Sequence, residues 1–138
     1  MTNDLDQLTS LLLASQRTLL QDLAAEIDSE KVSWGQIHLL QALEIEDKLT
    51  MSHIAKLMGH TTAAATGLVD RLETMGYVNR VHSTEDRRRV YCNITKKGSG
   101  LLNRVINRFR DRLDTTLAPL NATERQSLVR LLGKILQP

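Results

Sequence analysis

A chain of 138 residues with a formal net charge of +2 and only 3% aromatic residues is one domain's worth of polypeptide, and an apolar content that is mostly leucine favours helices. No stretch approaches the roughly 20 apolar residues that span a bilayer, the opening Met-Thr-Asn-Asp-Leu-Asp is acidic where a secretory leader is basic, and a single cysteine cannot form an internal disulfide. A cytoplasmic protein with no membrane attachment is therefore expected.

The net charge conceals a division. Residues 1–47 hold two basic side chains, Arg17 and Lys31, against nine acids, a net of −7, while residues 48–97 hold nine basic side chains against four acids, a net of +5. A cationic stretch of this kind is the footprint of phosphate binding.

In chain order, residues 4–28 predict a helix with Leu5, Leu8, Leu12, Leu19 and Leu23 on one side and Leu13, Leu20, Ala24 and Ile27 on another. It is apolar over too much of its circumference for a surface helix. Ser33-Trp-Gly-Gln36 is a capping-box pattern opening a second helix through Leu39, Leu40 and Leu43 to about residue 47. Thr50 caps a short third helix whose apolar contacts are Ile54, Ala55, Leu57 and Met58, and Gly59-His60 makes the turn after it. Thr61 caps a fourth, with Ala65, Leu68, Val69 and Leu72 recurring at spacings of three and four as its core face. The opposite face, Thr62, Ala63, Thr66, Gly67, Asp70 and Arg71, begins small and uncharged, so it can press closely into a groove. Gly76 then stands where a helix ends on a left-handed residue.

Residues 77–83 and 90–94 read as two strands, Val90, Cys92 and Ile94 alternating with Tyr91 and Asn93. The turn between them carries Arg87, Arg88 and Arg89, and strand alternation carried through the tip would send Arg87 and Arg89 to one side and Arg88 to the other. Cys92, on the apolar side of its strand, reads as a buried small hydrophobe and not as a redox sensor. Thr95 caps a long helix of roughly 22 residues, roughly 33 Å, with Leu102, Val105, Ile106, Phe109, Leu113 and Leu117 on its inner stripe. Pro119 marks its end, and Asn121-Ala-Thr-Glu124 opens a last helix bearing Leu128, Leu131, Leu132, Ile135 and Leu136.

Two capped helices followed at once by a hairpin with a cationic tip have the layout of a winged helix-turn-helix, in which one helix lies in the major groove of DNA and the hairpin reaches neighbouring phosphates or the minor groove. The expected fold class is mainly α with a small β-hairpin, a single domain over 1–138 with the DNA reader at 48–97. The terminal helices, 1–30 and 98–138, carry more leucine than so small a reader can cover, and a two-fold dimer formed by N- and C-terminal helices is expected through Leu5, Leu8, Leu12, Leu128, Leu131, Leu132 and Ile135. Two-fold symmetry would set two reading helices roughly 34 Å apart and call for a palindromic site. Trp34 and His38, one turn apart, can supply an aromatic wall and a polar handle for a small ligand, or equally a core anchor and its polar neighbour.

Catalysis is not expected. His38, His53, His60 and His82 are scattered with no nucleophile, base and orienting group together, no glycine-rich phosphate loop precedes a helix, and no cofactor or metal site is implied.

Leu68-Val69-Asp70-Arg71-Leu72-Glu73, then Gly76-Tyr77-Val78, Arg80, Asp86-Arg87-Arg88 and Ile94-Thr95-Lys96-Lys97-Gly98 stand in an order and spacing that resembles the MarR family of bacterial transcription regulators, and the resemblance covers nearly the whole chain. It implies that residues 61–71 form the recognition helix, with Thr61, Thr62, Ala63, Thr66, Gly67 and Arg71 at the DNA. It also implies that Asp86 and Arg88 form a wing pair in which the carboxylate holds the guanidinium in pose, beside Arg87 and Arg89. A homodimeric repressor follows from the same resemblance, bound to double-stranded DNA at a palindromic operator and released by a small aromatic or amphipathic effector. A winged-helix DNA-binding protein without a small-molecule effector is the second reading. Two departures from the family pattern stand out: Gly67 replaces a larger polar or basic side chain, and the cysteine that the peroxide-sensing branch carries in its first helix is missing.

Overall fold

The computed structural model describes residues 3–137; both chain ends of the expected 1–138 domain lie outside that range. Among the described residues six helices and three short strands follow one another as α1 (Asp4–Ser29), α2 (Trp34–Ile45), β1 (Leu49–Thr50), α3 (Met51–Met58), α4 (Thr62–Thr74), β2 (Val78–His82), β3 (Val90–Ile94), α5 (Lys96–Thr116) and α6 (Ala122–Leu136). Two compact units result, Met1–Leu23 with Asn107–Pro138, and Ala24–Ile106.

The caps follow from local chemistry. Ser33 accepts from the Gln36 amide while the Gln36 side chain accepts from the Ser33 amide, and Asn121 and Glu124 repeat that box at α6. Thr50 and Thr61 accept from His53 and Ala64, and Gly59 and Gly76 take φ of 62° and 80° where a side chain would strain the turn. Helix α2 stops at Ile45, two residues short of expectation, because Glu46 turns to extended backbone ahead of β1.

The expected hairpin is one part of a three-stranded antiparallel sheet in the order β1-β3-β2. The added strand is two residues long, Leu49 facing Cys92 and Thr50 facing Tyr91, too short for any alternation to announce it. Leu49, Cys92, Ile54, Ala65, Val69 and Leu72 are all but sealed from solvent, so sheet, α3 and α4 share one core with Leu39, Leu40 and Leu43 of α2 and Leu101, Leu102 and Val105 of α5. Among the apolar contacts expected of α3 and α5, Leu57 is 51% exposed and Ile106 38% exposed, and of those expected on α1 outside the dimer set Leu13 and Ala24 are exposed. Gly98 is required where α5 meets β2, since a Cβ there would stand 2.2 Å from the Tyr77 carbonyl oxygen.

A polar cluster ties α5 to the residues that follow α1. The Tyr77 hydroxyl donates to Glu30 at 2.6 Å, Arg104 donates to the other Glu30 oxygen at 2.7 Å, and the Lys97 ammonium sits 4.9 Å from the Tyr77 ring centre. Burial, reinforced by Glu30, pushes the tyrosine up to about 12, and the Tyr77 and Arg104 hydrogen bonds hold Glu30 below the ordinary carboxylate range. The tyrosine holds its proton more tightly folded than unfolded, so its contribution is whole below pH 10 and is lost between about 10 and 12. Glu30 contributes above its unfolded value and fails as pH falls through its lowered folded one. Tyr77→Phe should cost about 1 to 2 kcal/mol at neutral pH and flatten the alkaline limb of a stability-against-pH curve; urea titrations from pH 7 to 12 that keep this limb unchanged would contradict the assignment.

Cys92 is wholly buried, and burial raises its thiol to about 11, in keeping with a structural cysteine.

Candidate nucleic-acid interface

The exposed surface of α4 is built as its sequence pattern requires. Ala65, Val69 and Leu72 turn inward, and Thr61, Thr62, Ala63, Gly67, Asp70 and Arg71 are exposed, with Thr66 half-buried. The Thr61 hydroxyl caps the helix by accepting from the Ala64 amide at 3.2 Å, which leaves its own proton free to donate outward. Thr66 donates to the Thr62 carbonyl at 2.8 Å, so it presents its methyl and its oxygen lone pairs. Buried Gln36 braces the helix from behind, its side-chain amide donating to the Leu68 carbonyl at 3.4 Å. The capping pattern at 33–36 discloses the part Gln36 plays in the cap of α2 but not this brace.

Arg87, Arg88 and Arg89 are all exposed at the tip of the β2–β3 hairpin. The tip is closed by Ser83 donating from its amide to the Arg89 carbonyl and by the Arg89 amide donating to the Asp86 carbonyl, both at 2.9 Å. The second bond makes 86–89 a turn with Arg87 and Arg88 at its corner. Strand alternation therefore does not extend through the tip, and the expected grouping of Arg87 with Arg89 on that ground does not hold. The Asp86 carboxylate is also used differently from the expected brace: it accepts from the Arg88 backbone amide at 3.0 Å. Among the described residues no ion pair joins Asp86 to Arg87, Arg88 or Arg89. An aspartate two residues before its donor forms a local turn, a competing use of the side chain that the motif spacing does not disclose. Arg88 and Arg89 line one concavity with Thr50, Met51 and Ser52, so the wing tip stands beside the start of α3.

On the exposed surface of α4, Asp70 and Glu73 are reached by Arg80 of β2 at 2.5 Å and 3.0 Å, and the Arg80 backbone amide donates to the second Glu73 oxygen at 3.0 Å. Burial would lower the arginine's pKa, but the two carboxylates outweigh it and raise it. The sequence motif contains Arg80 without assigning it a role. The signal that could have found it is a pair of acids three apart on a helix followed by a lone basic residue in the next strand.

Trp34 is half-buried and His38 exposed, their rings 6.3 Å apart and tilted by 40°. Of the seven residues expected at a dimer interface, Leu5, Leu8, Leu12, Leu131, Leu132 and Ile135 are 41 to 75% exposed and Leu128 is half-buried. Among the described residues no helix is long and apolar enough to cross a membrane.

Residues 32–90 match the model of the MarR family. The chain is 34% identical over 97 residues to the HTH-type transcriptional regulator YfiV of Bacillus subtilis, covering 70% of this chain and 61% of that one. It is 28% identical over 108 residues to the HTH-type transcriptional repressor YetL of the same organism, covering 77% and 65%. It thus spans slightly less than two thirds of either relative's length. A solved structure of a MarR family protein from Bacillus stearothermophilus superposes with a TM-score of 0.85 at 26% identity, over 98% of this chain and 96% of that one.

Proposed function

We propose that this chain, which belongs to the MarR family, is a sequence-specific DNA-binding transcriptional regulator, not an enzyme, acting as a homodimeric repressor on a palindromic operator. The observation that carries the reading is the presence, in the unit Ala24–Ile106, of a capped helix with a small-residue exposed face and a hairpin tip of three consecutive exposed arginines. Gly67 adds to it. A Cβ built there meets nothing within 4 Å, so no packing inside the chain accounts for a residue that costs a helix interior about 1 kcal/mol. A surface pressed against the helix from outside would account for it, as the floor of a major groove does.

In this reading Thr61, Thr62, Ala63, Thr66, Gly67 and Arg71 enter the groove, Asp86 shapes the wing turn, and Arg87, Arg88 and Arg89 neutralise phosphates or enter the minor groove. Phosphate contacts release counterions without reading bases. Replacing Arg87, Arg88 and Arg89 together by alanine should weaken binding to operator and to random duplex alike and lower the log–log salt slope by about one unit for each phosphate contact removed. Fluorescence anisotropy across a salt series measures both, and an unchanged slope and affinity would reduce the wing to a solvated turn and remove the basis of the reading.

The paired rings of Trp34 and His38 support release by a small aromatic or amphipathic effector, which can act only by binding two conformations of the regulator unequally. A panel of aromatic acids and phenols should quench Trp34 fluorescence and lower operator affinity. If no compound does either, the regulator works without a small-molecule effector.

A further inference from the structure

The exposed face of α4 contains a feature that a DNA reader should avoid. Asp70 is 58% exposed and Glu73 40% exposed, two carboxylates on a helix that approaches phosphates. Their spacing of three puts them side by side on one helical face, and Arg80, its side chain 22% exposed, spans both with separate guanidinium nitrogens while its backbone amide donates to the remaining Glu73 oxygen. Arg80 is fixed in turn by the sheet. It stands opposite Cys92, which stands opposite Leu49, and those two are wholly buried, so the row cannot slip without exposing them. The strand that holds Arg80 leads directly into the wing.

We infer that Arg80 is a positioning residue for the proposed DNA reading, on which this inference rests: by clamping Asp70 and Glu73 it locks the recognition helix to the root of the wing, so that helix and hairpin meet DNA in one fixed geometry. A planar fork on two carboxylates is directional in a way that a point charge is not. Both terminal nitrogens are engaged, which leaves no fork to offer a phosphate or a guanine. The clamp also engages one Asp70 oxygen and so fixes the direction of a carboxylate that could otherwise turn to accept from a cytosine amino group in the groove.

The sign of one result separates this role from plain electrostatics. Removing two acids from a DNA-facing surface should tighten binding to every duplex if charge alone matters. If the clamp positions the reader, the Asp70→Ala/Glu73→Ala protein should hold random DNA as well as or better than the unaltered protein while its operator affinity falls, so that the operator-to-random ratio drops tenfold or more. Arg80→Met should lower the ratio by a similar factor with the salt slope unchanged, and Arg80→Lys, which keeps the charge but not the fork, should not restore it. Combining Arg80→Met with the two alanines should cost no more than either alone, because all three changes remove one clamp.

The full-length protein is first taken through selection from a random duplex pool, which yields its preferred site; failure to enrich any sequence would end the DNA-reading proposal itself before a variant is made. With a site in hand, the positioning role is overturned by any of three results. Equal tightening on both duplexes would leave only charge, a salt slope lowered by about one per site in Arg80→Met would make Arg80 a phosphate contact, and additive effects would make Asp70 a direct reader of bases. Alanine at two exposed helical positions favours the helix, so the double variant remains informative should the arginine variants fold poorly.

Discussion

Ala63→Glu should abolish operator binding while leaving thermal stability almost unchanged. Ala63 is exposed in the first turn of α4, beyond the Thr61 cap, and its neighbours Thr62, Thr66 and Gly67 are all small. A surface so free of long hydrogen-bonding side chains can read DNA through close contact, with alanine and threonine methyl groups against thymine methyls, and through the shape of the groove. Glutamate defeats both, filling the space that the small residues keep open and setting an anion among phosphates. The specific component of binding is worth at least about a thousandfold, and that factor should vanish. The helix itself is not weakened, since glutamate is a good helix former and an acid near a helix N-terminus is favourable by a few tenths of a kcal/mol. Anisotropy titration beside a melting curve is the measurement. Retained operator affinity would mean that another face of α4 enters the groove.

Leu132→Asp should convert a dimer to monomers. Helix α6 has no buried residue, although Val129, Leu131, Leu132, Ile135 and Leu136 lie within eight positions of one another, and α1 exposes Leu5, Leu8, Leu11, Leu12 and Leu13 at 53 to 66%. Monomeric proteins rarely leave so much apolar surface in contact with water, and the partner we propose for it is a second copy of the chain related by two-fold symmetry. Gly133 agrees with this, because an added Cβ there meets nothing within the chain and its absence permits close approach from outside. An aspartate in such an interface is a buried unpaired charge and costs several kcal/mol per copy. Sedimentation at micromolar concentration should show dimer for the natural sequence and monomer for the variant, with operator affinity falling as the second half-site is released. A natural sequence that sediments as monomer would sink the claim.

The caps, the core stripes and the cationic tip were legible because each depends on residues within four positions of one another. Ser33 with Gln36, Asn121 with Glu124, Thr61 ahead of Ala65, Val69 and Leu72, and the left-handed glycines at 59 and 76 are local arrangements between a side chain and the nearest backbone, and the structure keeps them all. The departures share a different cause. Leu57 satisfies helical periodicity yet stands half in solvent, because periodicity names a face and not what covers it. Strand alternation fails at the wing tip because a turn hydrogen bond from the Arg89 amide to the Asp86 carbonyl takes over there.

The sequence by itself therefore determined the order and caps of the helices, the two main strands, and the division between an acidic N-terminal stretch and a cationic reader, since propensity, capping and charge are summed along the chain. Only the tertiary structure decided that a two-residue strand at Leu49–Thr50 closes the sheet, that Gln36 reaches across 32 positions to Leu68, and that Arg80 clamps Asp70 and Glu73. A long-range polar contact can form only after burial of the surrounding core has brought the partners together, as the packing of α4 on the sheet does for Arg80, Asp70 and Glu73. No short window of sequence records which distant residues that collapse will place side by side.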